Sequence, residues 1–173
     1  SLNSFKEIQE GIENTNYFIL VDQKKYILTI YEKRVKEEDL PFFSELMINL
    51  DRSGFNCPVP IINKKNSPIT KFNNKKLMIV SFIEGKAKND LSPENCRSIG
   101  IEAAKMHNIT KNFQIKRDND LSILSWRKIF DSVKGECNRI HKDLAKLIES
   151  NLIDVEKNWP KNLPKGIIHA DLF

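Results

Sequence analysis

The sequence predicts an α+β chain: an N-terminal antiparallel sheet lobe with one helix over residues 1–83, then an incomplete helical lobe over residues 84–173. Three observations predict it. Runs rich in β-branched and aromatic residues dominate up to about Phe82. From about Asp90 onward the apolar residues recur instead at steps of three and four. Between the two halves, Ile83-Glu84-Gly85 supplies a short link.

Phe5 to Gln9 opens the first half as a strand, and polar Gly11 to Asn16 follows as a loop. Tyr17 to Val21 and Tyr26 to Tyr31 read as an antiparallel hairpin across the polar break Asp22 to Lys25. Asp39 is the expected N-cap of a helix with Pro41 in its first turn, where a missing N–H costs little. Leu40, Phe43, Met47 and Leu50 give that helix its apolar spacing, and Gly54 ends it. Pro58 and Pro60 frame an expected edge strand, Val59 to Ile62, and Lys76 to Phe82 reads as a buried strand.

In the second half, Ser92 caps a helix with Pro93 at its first position. Its stripe is Cys96, Ile99, Ala103 and Met106 or His107, with His107 read as a core histidine. Trp126, Phe130, Val133, Cys137, Ile140, Leu144 and Leu147 then alternate in steps of four and three. That spacing predicts one long bundle helix interrupted only by Gly135, with His141 mid-helix and partly exposed.

Composition narrows the function classes. With 40% hydrophobic and 29% charged residues, the 173-residue chain is of ordinary globular make-up, neither collagen-like nor of low complexity. No apolar run approaches the ~18–20 residues of a membrane span, and no secretory signal is visible. Cys57, Cys96 and Cys137 lie far apart without a CxxC pair, as expected of reduced thiols in a cytoplasmic protein. The net charge of +5 makes an anionic partner worth weighing. The lysine pairs are scattered through turns, however, so a solvated surface is the plainer reading. The chain begins with Ser1 and is expected to be part of something longer.

The last residues carry the chemistry. Gly166-Ile167-Ile168-His169-Ala170-Asp171-Leu172-Phe173 places a His and an Asp two apart after a short apolar run. Alone, that triplet occurs by chance in many proteins. Behind a sheet lobe, a link and a helical lobe, it stands where an H-x-D-x-x-x-x-N catalytic loop stands in kinase folds. Further segments narrow the match: Tyr26-Ile27-Leu28-Thr29-Ile30-Tyr31-Glu32-Lys33-Arg34, Asp39-Leu40-Pro41-Phe42-Phe43, Val80-Ser81-Phe82-Ile83-Glu84-Gly85 and Ser125-Trp126-Arg127. On these the chain resembles the type II homoserine kinases, a branch of the aminoglycoside phosphotransferase and choline kinase superfamily with a protein-kinase-like fold.

The resemblance implies ATP-dependent phosphorylation of the L-homoserine hydroxyl, with Mg²⁺. It implies Asp171 as the base and orienter of that hydroxyl and His169 as support for the catalytic loop. Gly11, Asn14, Thr15 and Asn16 match the nucleotide loop, though as a bare motif they read as an Asn-rich turn. Ser81, Phe82 and Ile83 would be the hinge that meets adenine, and they are also simply the end of a strand. Thr29 stands where the strand lysine of a protein kinase would be. Lys33 or Arg34 can substitute for it, with Glu45 as helix partner, or all three can be surface charges. Trp126 reads as packing, and Arg127 either as a fork for the substrate carboxylate or as a surface salt bridge.

The metal ligands of the pattern would fall beyond Phe173, so the chain by itself is expected to be inactive. Small-molecule partners are expected, and neither nucleic acid nor membrane. Another kinase of the superfamily acting on choline or an aminoglycoside, and a basic binding module without catalysis, remain alternatives.

Overall fold

A computed structural model describes residues 1–9, 14–32, 35–86, 88 and 90–170. Five antiparallel strands form one sheet in the order β1-β2-β3-β5-β4: β1 Leu2–Ile8, β2 Asn14–Val21, β3 Lys24–Tyr31, β4 Ile69–Phe72 and β5 Lys75–Ser81. Helix α1, Leu40–Arg52, lies between β3 and β4 in the chain, and α2 Pro93–Thr110, α3 Ile123–Ile140 and α4 Leu144–Asn158 follow β5. Arg117–Lys165, which carries α3 and α4, forms one compact unit, and the remaining described residues form the other.

The central hairpin is tighter than its polar residues suggest. Val21 pairs with Lys24, so the turn is only Asp22-Gln23, and both residues have positive φ (47° and 66°). Such a turn matches the right-handed twist of its strands, which a looser four-residue break would not. The same device builds a strand that the sequence reading missed. Asn73 and Asn74, at φ 46° and 61°, turn β4 into β5. Two adjacent asparagines tolerate the left-handed region, and that was the available signal. The expected edge strand Val59 to Ile62 shrinks to a single bridge, Pro60 to Val80. It is flanked by Ile61 N–H to the Ile79 carbonyl (2.8 Å) and Ser81 N–H to the Val59 carbonyl (2.9 Å). Pro60 has no N–H to extend the ladder.

Helix α1 starts differently from expectation. Asp39 is not an extended N-cap: it has helical φ and ψ, makes no capping hydrogen bond, and ends the single 3₁₀ turn Glu37–Asp39 that runs into α1. Pro41 does sit in the first turn. At the far end Gly54 adopts φ 76°, with Gly54 N–H bonded to the Asp51 carbonyl (2.9 Å) and Phe55 N–H to the Leu50 carbonyl (3.0 Å). This pair of bonds is a Schellman stop, for which glycine is suited. Leu40, Ser44 and Leu50 are the buried face of α1, and Met78 and Ile19 anchor the sheet.

Helix α2 begins as read: Ser92 Oγ accepts from Asn95 N–H (3.3 Å) while Asn95 Oδ1 accepts from Ser92 N–H (3.1 Å). Its stripe is shorter than expected. Cys96, Ile99 and His107 are exposed, so His107 is not a core histidine, and Thr110 is the buried residue. The helix packs on α1, and just past its end Phe113 meets Phe42 of α1 edge to face at 6.0 Å.

The long helix divides. The pattern from Trp126 to Leu147 passes through α3 into α4, broken after Ile140 by Asp143 at φ 63°. His141 therefore lies just past a helix end, exposed, and Gly135 sits inside α3 without breaking it. The two helices pack against each other, burying Phe130 and Cys137, with Trp126 edge to face on Trp159 at 5.4 Å. A period of three and four is common to one long helix and to two helices packed face to face, so spacing alone did not separate them. Among the described residues no helix is long and apolar enough to cross a membrane.

Candidate active site

The residues assigned to a nucleotide loop are mostly strand. Asn14, Thr15 and Asn16 open β2 and pair with Tyr31, Ile30 and Thr29 of β3. Gly11 lies outside the described residues, as do Lys33, Arg34 and Asp171. Side chains reinforce this corner. Thr29 Oγ1 donates to Asn16 Oδ1 at 2.8 Å, Thr15 Oγ1 to Glu32 Oε1 at 3.1 Å, and Glu32 N–H to Asn14 Oδ1 at 3.4 Å. Lys75 at the start of β5 pairs with the same Glu32 carboxylate at 2.7 Å. Thr29, standing where a strand lysine would be, thus serves as a cross-strand hydrogen-bond donor. The sequence reading gave Glu32 a place only in a matching segment and did not pair it with Lys75, since only pairing register brings Lys75 to the end of β3.

Beside this corner, Tyr31, Glu32, Val35, Glu37, Leu40, Asn74, Lys75 and Lys76 line a cavity of about 70 Å³. Burial pushes the Tyr31 hydroxyl above its ordinary pKa, so it stays a neutral phenol. Glu45 is exposed on α1 and borders a separate open hollow of about 250 Å³ with Ile48, Asn49, Arg52 and residues 112–115. Its expected partner Lys33 lies outside the described residues.

Ser81, Phe82 and Ile83, expected from the sequence as a hinge, lie at the other end of the same sheet. Ser81 N–H and Oγ both engage the Val59 backbone (2.9 Å each), and Phe82 N–H donates to the Lys25 carbonyl (3.2 Å). The Phe82 ring packs edge to face on Phe18 at 5.4 Å, with Lys25 Nζ 5.7 Å from its centroid. Lys25 also pairs with Glu84. The segment leaving the sheet is therefore held by its first two residues, and Ile83 stands exposed just beyond them.

His169 is exposed, and Ala170 adopts φ 65°, a left-handed conformation costing a non-glycine residue roughly 1–2 kcal/mol. The structure thus records backbone strain in the middle of the H-x-D triplet. Cys57 is half-buried and burial, then the nearby Asp51 charge, raises its thiol pKa, so it is a poor nucleophile at neutral pH. Among the described residues no three His, Cys, Asp or Glu side chains gather as a metal site.

Arg127 is committed inside its own helix pair. Its Nε and Nη2 grip both oxygens of Glu156 (3.0 and 2.8 Å), and Nη1 reaches Glu149, which also pairs with Lys134. Of the two readings open from sequence, this geometry favours the salt bridge over a substrate fork. The Glu156 and Glu149 hydrogen bonds raise the guanidinium pKa further above its ordinary value. In return Lys134 and Arg127 hold Glu149, and Arg127 holds Glu156, below the ordinary carboxylate value of 4.5. A depressed carboxylate pKa means stability fully present above that ordinary value and lost as pH falls through the lower folded value. The α3–α4 pair is expected to unfold at progressively lower denaturant as pH is taken from about 6 to about 3. Glu149→Gln with Glu156→Gln should flatten that dependence in a circular-dichroism titration.

Comparison with known proteins fits this layout. The model of the phosphotransferase enzyme family (APH) matches residues 4–173. The chain is 42% identical over 170 residues to a homoserine kinase of Paramagnetospirillum magneticum, covering 98% of this chain and 52% of that protein. It is 40% identical over 173 residues to a homoserine kinase of Methylobacterium radiotolerans, covering 100% of this chain and 54% of that protein. The chain thus spans about half the length of the curated relatives it matches. Among solved structures, a spectinomycin phosphotransferase in complex with ADP and spectinomycin superposes at TM-score 0.54 and 13% identity, covering 99% of this chain and 58% of that one. An aminoglycoside phosphotransferase from Alicyclobacillus acidocaldarius gives TM-score 0.52 at 12% identity, covering 88% of this chain and 46% of that one. These neighbours identify the fold as protein-kinase-like. With its five-stranded antiparallel sheet, its helices and a family match along nearly its whole length, the chain belongs to the phosphotransferase enzyme family.

Proposed function

We propose that the protein carrying this chain is a homoserine kinase, which transfers the γ-phosphoryl group of ATP to the side-chain hydroxyl of L-homoserine, a step toward threonine. The observation that carries the proposal is the 40% identity to a protein of that name along all 173 residues. In this reading the sheet over residues 1–83 is the nucleotide lobe. Asn14 and Thr15, held by Glu32, border the phosphates, and the backbone of Ile83 beyond the anchored Ser81 and Phe82 meets adenine. ADP in the spectinomycin phosphotransferase supports a nucleotide donor.

Phosphoryl transfer asks the protein chiefly for positioning and for stabilising charge. Asp171 would orient the homoserine hydroxyl in line with the phosphoryl group and accept its proton late, because an ordinary carboxylate is a weak base. His169 would brace the loop. Mg²⁺ would offset charge on the phosphates. The described residues supply no cluster for it, and no step here depends on one. Arg127 is assigned to the helix seam, so recognition of the homoserine carboxylate falls to other residues. A cytoplasmic location belongs to the same reading.

The test is a coupled ADP-release assay on the full-length protein with L-homoserine, choline and spectinomycin as acceptors. Homoserine-dependent turnover of about 1–100 per second, with the other two at background, is the expected result. Turnover with choline or spectinomycin in place of homoserine would assign another acceptor. Steeply salt-dependent DNA binding without nucleotide binding would remove the enzyme reading altogether.

A further inference from the structure

We propose that Glu32 is a positioning residue for the phosphoryl donor: it ties the entry of β2 to the ends of β3 and β5 and so sets where Asn14 and Thr15 stand. The inference rests on the reading above for the location of the nucleotide. Glu32 is the first residue after β3, next to Asn14–Tyr31, the outermost described pair of the ladder with β2. Next to that pair, Glu32 ties the strands together through both its backbone and its side chain. Its N–H donates to Asn14 Oδ1 (3.4 Å) and its carboxylate accepts from Thr15 Oγ1 (3.1 Å). The same carboxylate also takes Lys75 Nζ, at 2.8 Å to Oε1 and 2.7 Å to Oε2.

Magnitude decides between a stabilising and an orienting role. The Lys75 and Glu32 side chains are 51% and 32% exposed, and a pair that open to solvent adds little to folding stability. Two short hydroxyl and amide groups held at fixed positions matter far more to phosphate geometry, since a displacement of about 1 Å at a reacting centre can cost about a hundredfold. Lys75 fixes the carboxylate from the β5 side, and the carboxylate in turn accepts the hydrogen bond of the Thr15 hydroxyl. Both bonds belong to the sheet itself, so the corner is set before any ligand arrives.

The test uses the full-length protein and its Glu32→Ala, Glu32→Gln and Lys75→Met variants. KM for ATP, KM for homoserine, kcat, thermal midpoint and affinity for a fluorescent ATP analogue are read together. Glu32→Ala is expected to raise KM for ATP and weaken the analogue by about tenfold, with the homoserine KM changed less than about twofold and the midpoint by less than about 3 °C. Glu32→Gln keeps an acceptor for Thr15 and should recover most of the loss, while Lys75→Met should fall between. Unchanged analogue affinity in Glu32→Ala, or a loss matched by a falling midpoint and not rescued by Gln, overturns the proposal. Absence of homoserine turnover in the parent counts against the kinase reading alone, because analogue affinity still reports on Glu32.

Discussion

Asp171→Asn in the full-length protein is expected to lower kcat by about 10²–10⁴ while leaving KM for ATP within about threefold. In free energy this is roughly 3–5 kcal/mol of lost transition-state stabilisation. On the proposed function, the amide would keep the shape of the carboxylate but could neither take the hydroxyl proton nor supply negative charge beside it. A loss confined to KM would mean that Asp171 binds substrate without acting on the reacting atom. The neighbouring backbone offers an internal control. Ala170 stands at φ 65°, where glycine is unstrained and a β-branched residue is not. Ala170→Gly should therefore retain activity, and Ala170→Val should lose kcat with Asp171 intact. Pre-steady-state mixing, which separates chemistry from product release, is the measurement that tells these cases apart.

Leu40→Ala and Met78→Ala are each expected to destabilise the protein by about 2–5 kcal/mol, seen as a shift in the urea midpoint at constant slope. Both side chains are 1% exposed, among the most buried in the described structure. Leu40 is the first residue of α1, and Met78 sits mid-sheet, paired with Thr29 on one side and Ile69 on the other. Removing Met78 leaves a cavity that a strand hydrogen-bonded on both sides cannot close by moving alone, and removing Leu40 leaves one at the start of α1. With total stability of about 5–15 kcal/mol for an ordinary domain, a loss of this size removes a large fraction of it. Ile99→Ala, on the exposed face of α2, should by comparison cost less than about 1 kcal/mol.

Much of this architecture was legible in the residues, for local reasons. The hairpin of β2 and β3 follows from alternation and β-branched content, α2 from Ser92-Pro93, and the stop of α1 from Gly54. Each is decided by a few neighbours in the chain. Several of the readings that changed depended on residues far away in sequence. Asn14 to Asn16 looked like a loop because they are polar, but pairing with Tyr31 to Thr29 makes them strand. The four residues of β4 are too short to declare themselves, and they persist because β5 is there to pair with. His107 fits an apolar stripe by spacing alone, yet no described element covers that turn of α2 and the ring is exposed.

The candidate site divides the same way. The H-x-D triplet and the strand leading to Ser81, Phe82 and Ile83 are continuous in sequence and could be singled out as candidates there. The partners of Arg127 could not, because Glu149 and Glu156 reach it only once the chain folds back at Asp143. Nor could the Glu32 cluster, whose members at positions 14, 15, 32 and 75 meet through three strands. Sequence by itself determined the class of fold, because periodicity, caps and turn residues act over a few positions, and the resemblance of its continuous segments pointed to the family. Tertiary structure alone decided which charges pair and which polar groups share a corner, because those contacts are set by strand register and helix packing, to which each residue contributes only part.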